Sequence, residues 1–276
     1  MRRLLIPVLV TMSVLPAAAA DRSRTPGVPL SIDGKGGVVV EVEVNGAGPF
    51  RFLVDTGAAR SVVADELAAA VGAPTVAKTD VVTSAGSDTR LVVRLDSIRL
   101  SSVKVDAVLA PVVPAPQLAR LGRGVRGLLG QDFLSAFNYT LDYRRARLTW
   151  DEALSCGGRD AVRMQPSEGR YTMLLHTGDG RAMQVVPDSG AEVPMFFRDV
   201  GLGAAVATAM VTGLGAGARS VVRSTLPELR VGGVTLRDLD GYFIERPDAG
   251  ADAVLPLHGF SSVSFAAGGA CIVARR

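Results

Sequence analysis

The sequence predicts an all-β protein made of two similar halves. Three observations carry that expectation. Hydrophobic residues make up 48% of the chain, aromatic residues only 5%, and there are 31 glycines. Such a mixture, with its many valines, favours short strands and tight turns over long helices. Apolar and polar residues alternate with period two over long stretches, the pattern of half-buried antiparallel strands. One short pattern also occurs twice, as Val54-Asp55-Thr56-Gly57-Ala58 and Pro187-Asp188-Ser189-Gly190-Ala191. Its two aspartates lie 188 − 55 = 133 positions apart. The 276 residues suit one large domain or two of ordinary size, and the apolar content excludes wholesale disorder.

The first twenty residues stand apart from this pattern. A basic start (Arg2, Arg3) leads to an apolar run from Leu4 to Leu15, then Pro16 and four alanines. These are the marks of a secretory signal peptide, and the run is short for a membrane span. The expected layout is therefore a signal peptide over 1–20, one lobe over 21–152 and a second over 153–276. Cleavage after Ala20 turns the balance of +3 into 28 − 27 = +1. That value gives no basis for binding nucleic acid, and no stable membrane anchor is expected after cleavage. With 3 lysines against 27 arginines and much Ala, Val and Gly, the chain suits a GC-rich bacterial genome. Export then means the periplasm or the medium. Two cysteines in an exported chain, Cys156 and Cys271, either pair or stay as buried thiols; a bond would tie the two ends of the second half. His176 and His258 are the only histidines, neither lies near a cysteine in the chain, and no metal-ligand spacing occurs, so no metal is expected.

The two halves run in parallel beyond the repeated aspartate. A short apolar stretch follows each loop, Ser61-Val62-Val63 and Met195-Phe196-Phe197. One or two helical turns are expected over 64–71, ended by Gly72, whereas the second half moves quickly to Gly201 and Gly203. Each half then has a hairpin with a small, flexible tip. One tip is Ser84-Ala85-Gly86-Ser87 and the other includes Gly213 and Gly215. Separate alternating strands are expected at 91–95, 98–100, 103–105 and 108–109, and in the second half at 221–222, 229–231, 234–236 and 242–244. Leu128-Leu129-Gly130 closes one half and Leu255-Pro256-Leu257 the other, each before a last strand. The join falls in 151–159. Two such units should pack about a pseudo-two-fold axis.

Two aspartates on matching loops suggest paired carboxyl chemistry. Carboxylates within hydrogen-bond reach cannot both ionise cheaply, so they share a proton. One acts as base toward a bound water and the other donates to a carbonyl oxygen. Glycine after Thr or Ser allows the tight turn, and the hydroxyl can bond backbone in the opposite half. One Asp-Thr-Gly is an ordinary turn; two at matching places are far more specific.

Val54 to Ser61, with Gly127-Leu128-Leu129-Gly130-Gln131-Asp132-Phe133-Leu134 downstream, resembles the retropepsin-like aspartic proteases of bacteria. Two copies in one chain resemble the pepsin-like arrangement. The resemblance implies two six- or seven-stranded β-barrel lobes with a substrate cleft between them, and no cofactor. It implies Asp55 and Asp188 as the catalytic pair, Thr56 and Ser189 as supporting hydroxyls, and Gly57 and Gly190 as loop glycines. The hairpin tips, with Ser84, Ala85, Gly86, Gly213 and Gly215, would be flaps over an extended peptide or unfolded protein substrate.

The second half departs from the pattern at Pro187, Pro194 and Pro256. Three readings stay open at this point. The chain is a monomeric two-lobed endopeptidase, or a protease in which two chains pair Asp55 with Asp55 and the second lobe is degenerate, or a peptide-binding protein without turnover. Gly122-x-Gly124-x-x-Gly127 fits a dinucleotide-loop pattern but follows no strand, and reads as a flexible loop. No G-x-S-x-G is present, which argues against a serine hydrolase.

Overall fold

The computed structural model of the chain describes residues 27–83, 86–150, 154–212, 218–245 and 250–276. The expected signal peptide and the tip residues Ser84, Ala85, Gly213 and Gly215 lie outside the described residues. Strand dominates what is described. The first half holds β1 (Val28–Pro29), β2 (Ser31–Ile32), β3 (Val38–Val44), β4 (Ala47–Val54), β5 (Val62–Ala64), α1 (Asp65–Ala70), β6 (Thr75–Thr83), β7 (Gly86–Leu100), β8 (Val103–Val113), α2 (Ala115–Leu118), β9 (Val125–Leu129), α3 (Gln131–Leu134), β10 (Tyr139–Asp142) and β11 (Arg147–Trp150). The second holds β12 (Ala161–Ser167), β13 (Arg170–Thr177), β14 (Ala182–Asp188), β15 (Met195–Phe196), β16 (Ala207–Thr212), β17 (Ala218–Val231), β18 (Val234–Phe243), β19 (Ala253–Pro256), β20 (Ser262–Phe265) and β21 (Cys271–Arg275).

The period-two pattern does what it should. Along β3 the residues Val40, Val42 and Val44 are buried while Glu41 and Glu43 face out. β4 ends in three buried residues, Phe52-Leu53-Val54, because parallel β9 lies beside it and covers that end. The helical turns after β5 form as α1, which buries Leu67 and Ala68 and ends at Gly72 with φ +64°.

Strand pairing repeats from half to half. One sheet runs β2-β3-β4-β9-β5-β8-β7-β6, and β3 pairs with β7 as well, so the order from β3 through β4, β9, β5, β8 and β7 returns to β3. In the second half the order β13-β14-β19-β15-β18-β17 returns to β13 through the pairing of His176 with Arg230 and Thr177 with Leu229. In each, the strand ending at the aspartate lies parallel to the strand of the closing segment, β4 with β9 and β14 with β19.

Two expectations need correction. Residues 91–95 and 98–100 form not two strands but the single β7, and 221–222 and 229–231 both fall within β17. Each half also ends not in one strand but in a two-stranded hairpin, β10–β11 and β20–β21. The physical reason is shared: long, continuous pairing with a neighbour, here β8 and β18, overrides local polar breaks such as Asp96 and Glu228.

The two closing hairpins are bonded to each other. Tyr139 to Asp142 of β10 pair with Phe265 to Ser262 of β20, and β1, β11, β21 and β12 extend the same layer. The few aromatic residues gather here. Tyr139 stacks on Phe265 with centroids 4.8 Å apart, and Trp150 meets Phe137 edge-on at 5.3 Å. Cys156, just before β12, is disulfide-bonded to Cys271 at the start of β21.

Candidate active site

Asp55 follows the last residue of β4, and Asp188 is the last residue of β14. Each is held by the strand alongside. The Asp55 N–H donates to the Leu129 carbonyl at 3.0 Å, while Asp188 registers with Pro256. The chain turns sharply after each aspartate, and the side-chain oxygen caps the turn. Asp55 Oδ1 accepts from the Gly57 N–H at 3.1 Å. Asp188 Oδ1 accepts from the Gly190 N–H at 2.7 Å and the Ala191 N–H at 3.2 Å.

Four reciprocal hydrogen bonds lock the loops together. Thr56 Oγ1 donates to the Pro187 carbonyl at 2.8 Å, and Ser189 Oγ donates to the Val54 carbonyl at 2.6 Å. The Thr56 N–H in turn donates to Ser189 Oγ at 3.1 Å, and the Ser189 N–H to Thr56 Oγ1 at 2.9 Å. Both hydroxyl residues are 1% exposed. Pro187 fits this lattice because its position supplies a carbonyl, which proline retains.

Gly57 and Gly190 face the opposite aspartate. A Cβ on Gly57 would lie 2.5 Å from Asp188 Cγ, and one on Gly190 would lie 2.9 Å from Asp55 Cγ. Only glycine leaves room for the two carboxyls to approach. Asp55 and Asp188 face each other across that gap, each carboxyl acting on the other.

The carboxyl environment is asymmetric. Burial first, then the charge of Asp188 and its hydrogen bond, push the Asp55 carboxyl well above the usual carboxylate range. Burial also raises Asp188, but the Gly190 N–H, the bond from Asp55, the Ala191 N–H and the Arg170 charge all pull it back. The two carboxyls are thus unequal: Asp55 is pushed well above the usual carboxylate range and Asp188 less far.

Behind Asp55 lies a polar network that motif reading did not assign. The Gly130 N–H donates to Ser61 Oγ at 3.1 Å, Ser61 Oγ donates to Asp132 Oδ1 at 2.7 Å, and Gln131 Nε2 donates to the Thr56 carbonyl at 2.7 Å. Polar Gln131 and Asp132 inside an otherwise apolar segment were the sequence signal for it. Pro194 follows Asp188 at the same distance in the chain as Ser61 follows Asp55, and the matching strand registers set Pro256, Leu257 and His258 where Gly130, Gln131 and Asp132 stand. The donor N–H of Gly130 and the acceptor hydroxyl of Ser61 are thus both replaced by proline. Losing both partners of a buried hydrogen bond is far cheaper than losing one.

Among the hairpin tips, Gly86 starts β7 and pairs with Thr83. Gly122 and Gly124 form the expected loop before β9, with Gly124 at φ +73°. His176 and His258 are both exposed, and His258 lies against Gly36, in a pocket lined also by Lys35 and Glu192.

Residues 40–133 match the family model described as aspartyl protease. Among solved structures, the chain is similar to a retropepsin-like aspartic protease from Rickettsia conorii, at 20% identity over 41% of this chain and 79% of that one, with a TM-score of 0.30. No curated protein matches. The matched span runs from β3 to α3 and includes Asp55 with its whole supporting network. Over that span, about a third of its length, the chain is similar to the aspartyl protease family.

Proposed function

We propose that the chain is an exported aspartic endopeptidase in which two barrel-like lobes, related by a pseudo-two-fold axis, each supply one carboxyl to a single site. The observation that carries this reading is the close approach of the Asp55 and Asp188 carboxyls, with reciprocal bonding of Thr56 and Ser189 beneath it. A proton-sharing pair of this kind is built to polarise water and a carbonyl at once.

In the reaction, ionised Asp188 takes a proton from a bound water as the water oxygen attacks the peptide carbonyl. Asp55 gives its proton to the carbonyl oxygen, which yields a neutral tetrahedral diol. Asp188 then protonates the amide nitrogen, Asp55 recovers a proton from one hydroxyl, and the C–N bond breaks. The dyad ends as it began, and no cofactor enters the balance. The substrate is an extended peptide or unfolded protein, laid against the β6–β7 and β16–β17 hairpins by strand addition. The natural setting is the bacterial periplasm or medium, after loss of the leader.

The test is cleavage of an unfolded protein at acidic pH. A peptide analogue with a hydroxyl in place of the scissile carbonyl should inhibit it, since it mimics the diol. Asp55→Asn should lower turnover on the order of 10⁴-fold, as for other catalytic groups that act as a unit. Undiminished turnover in that variant would refute the proposal.

A further inference from the structure

The hairpin joining β12 to β13 reaches the Asp loop of the other half. Its turn is Ser167-Glu168-Gly169-Arg170, with Ser167 and Arg170 in register. A Cβ on Gly169 would lie 3.0 Å from the Ala59 side chain, four residues past Asp55. The turn is also held from below, since Ser167 Oγ donates to the Gly250 carbonyl at 3.2 Å. Arg170 follows this contact directly, and its side chain is only 25% exposed. An arginine so enclosed, beside a loop that bears a buried acid pair, is not a solvated surface charge.

The charged groups around it set what it can do. On its own hairpin the guanidinium meets Glu168 at 3.3 Å, but that carboxylate is 63% exposed and its hold is screened by solvent. β13 runs antiparallel to β14 with Met173 opposite Val185, so three residues further along each strand Arg170 and Asp188 come level. There the guanidinium charge acts on Asp188, which also faces Asp55 and the Gly190 and Ala191 N–H groups. Tyr143, from the turn between β10 and β11, faces Asp188 too. Burial and the Asp188 charge push its phenol far up, so it is neutral. The strand beside Asp188 contributes Pro256, which bears no charge and no N–H. Arg170 thus brings a cation level with Asp188. The corresponding hairpin of the first half, β2–β3, instead reaches the second Asp loop with Lys35, whose charge goes to Glu192 at 3.0 Å. The cation supply is one-sided.

We infer that Arg170 is a positioning residue that keeps the dyad's negative charge on Asp188, which fixes Asp188 as the base and Asp55 as the acid. The inference rests on the proposed protease reading for its kinetic consequence, but not for its titration. Removing the cation makes the ionised pair harder to form, so the pair's lower apparent pKa must rise. The acid limb of the pH–rate profile then moves to higher pH, and so does the alkaline limb. Removing Glu168 frees more of the Arg170 charge for Asp188 and must move both the other way.

The experiment is a carboxyl-carbon NMR titration of the full protein with labelled aspartate, on wild type, Arg170→Gln, Arg170→Lys and Glu168→Gln. Asp55→Asn and Asp188→Asn assign the two signals. The expected result is a rise in the pair's proton affinity of roughly tenfold in Arg170→Gln, recovery in Arg170→Lys, and a smaller opposite shift in Glu168→Gln. In wild type the signal that keeps its proton to higher pH should be Asp55. Unchanged titration in Arg170→Gln, or a shift that Arg170→Lys fails to reverse, would overturn the inference. The titration needs no turnover, so its failure is distinct from a failure to cleave peptide. Where cleavage is measured, Arg170→Gln should shift the acid limb with less effect on KM.

Discussion

Asp55 and Asp188 occupy loops of the same shape, yet neighbours a few residues away give them different tasks. Asp55 accepts from Gly57 alone through Oδ1, whereas Asp188 accepts from two N–H groups and feels Arg170. The less stabilised carboxyl, Asp55, is the one pushed further above the usual range. Gly57 and Gly190 are the residues that permit the pairing, because each stands where a side chain would strike the opposite carboxyl. Gly57→Ala should displace Asp188 by about an ångström while leaving the fold intact. A displacement of that size costs about 100-fold in kcat. Kinetics on the variant, with circular dichroism as a check on folding, measure this. The repeated Asp-Thr/Ser-Gly made it legible in the sequence that these residues lie on matching loops. The asymmetry between them was not legible, because Arg170 belongs to no motif and comes near only through the β12–β13 turn. The prolines of the second half misled in the other direction. Pro187 supplies the carbonyl that Thr56 needs, and Pro194 with Pro256 removes a donor and its acceptor together.

At the scale of elements, periodicity located strands more reliably than it located their ends. β7 and β17 each run across polar residues at which a sequence reading stops, because β8 pairs with Val92 to Leu100 and β18 with Val222 to Val231, on both sides of those residues. The closing hairpins were legible as apolar segments but not as hairpins, since their pairing partners lie in the other half. Cys156 and Cys271 fit this picture. Their bond ties the lead-in of β12 to β21, two strands already paired through Ala161–Val273 and its neighbours. It closes a long loop, with 115 positions between the cysteines, so it constrains the unfolded chain strongly. Reduction should therefore cost about 2–5 kcal/mol of stability. Thermal unfolding with and without reductant, or of the Cys156→Ala/Cys271→Ala variant, checks this as a fall in Tm. Catalysis below the lowered Tm should persist, because the bond lies away from the aspartates.

The whole molecule rests on contacts that cross the midpoint of the chain. The strands β10 and β20 join the halves in one layer, the aromatic cluster of Tyr139, Trp150 and Phe265 packs on it, and Thr56 and Ser189 clasp above. The repeated aspartate pattern directed attention to each half separately and could not show how much of the structure belongs to both. This shared construction makes an Asp55–Asp188 pair within one chain the economical arrangement, with no second copy needed to complete the site. The most direct test is the rate of peptide-bond cleavage by Asp188→Asn, measured together with its mass in solution. The account predicts a monomer whose turnover falls to background, on the order of 10⁴-fold below wild type. Full turnover in Asp188→Asn, carried by dimers, would contradict it and place both catalytic carboxyls on copies of Asp55.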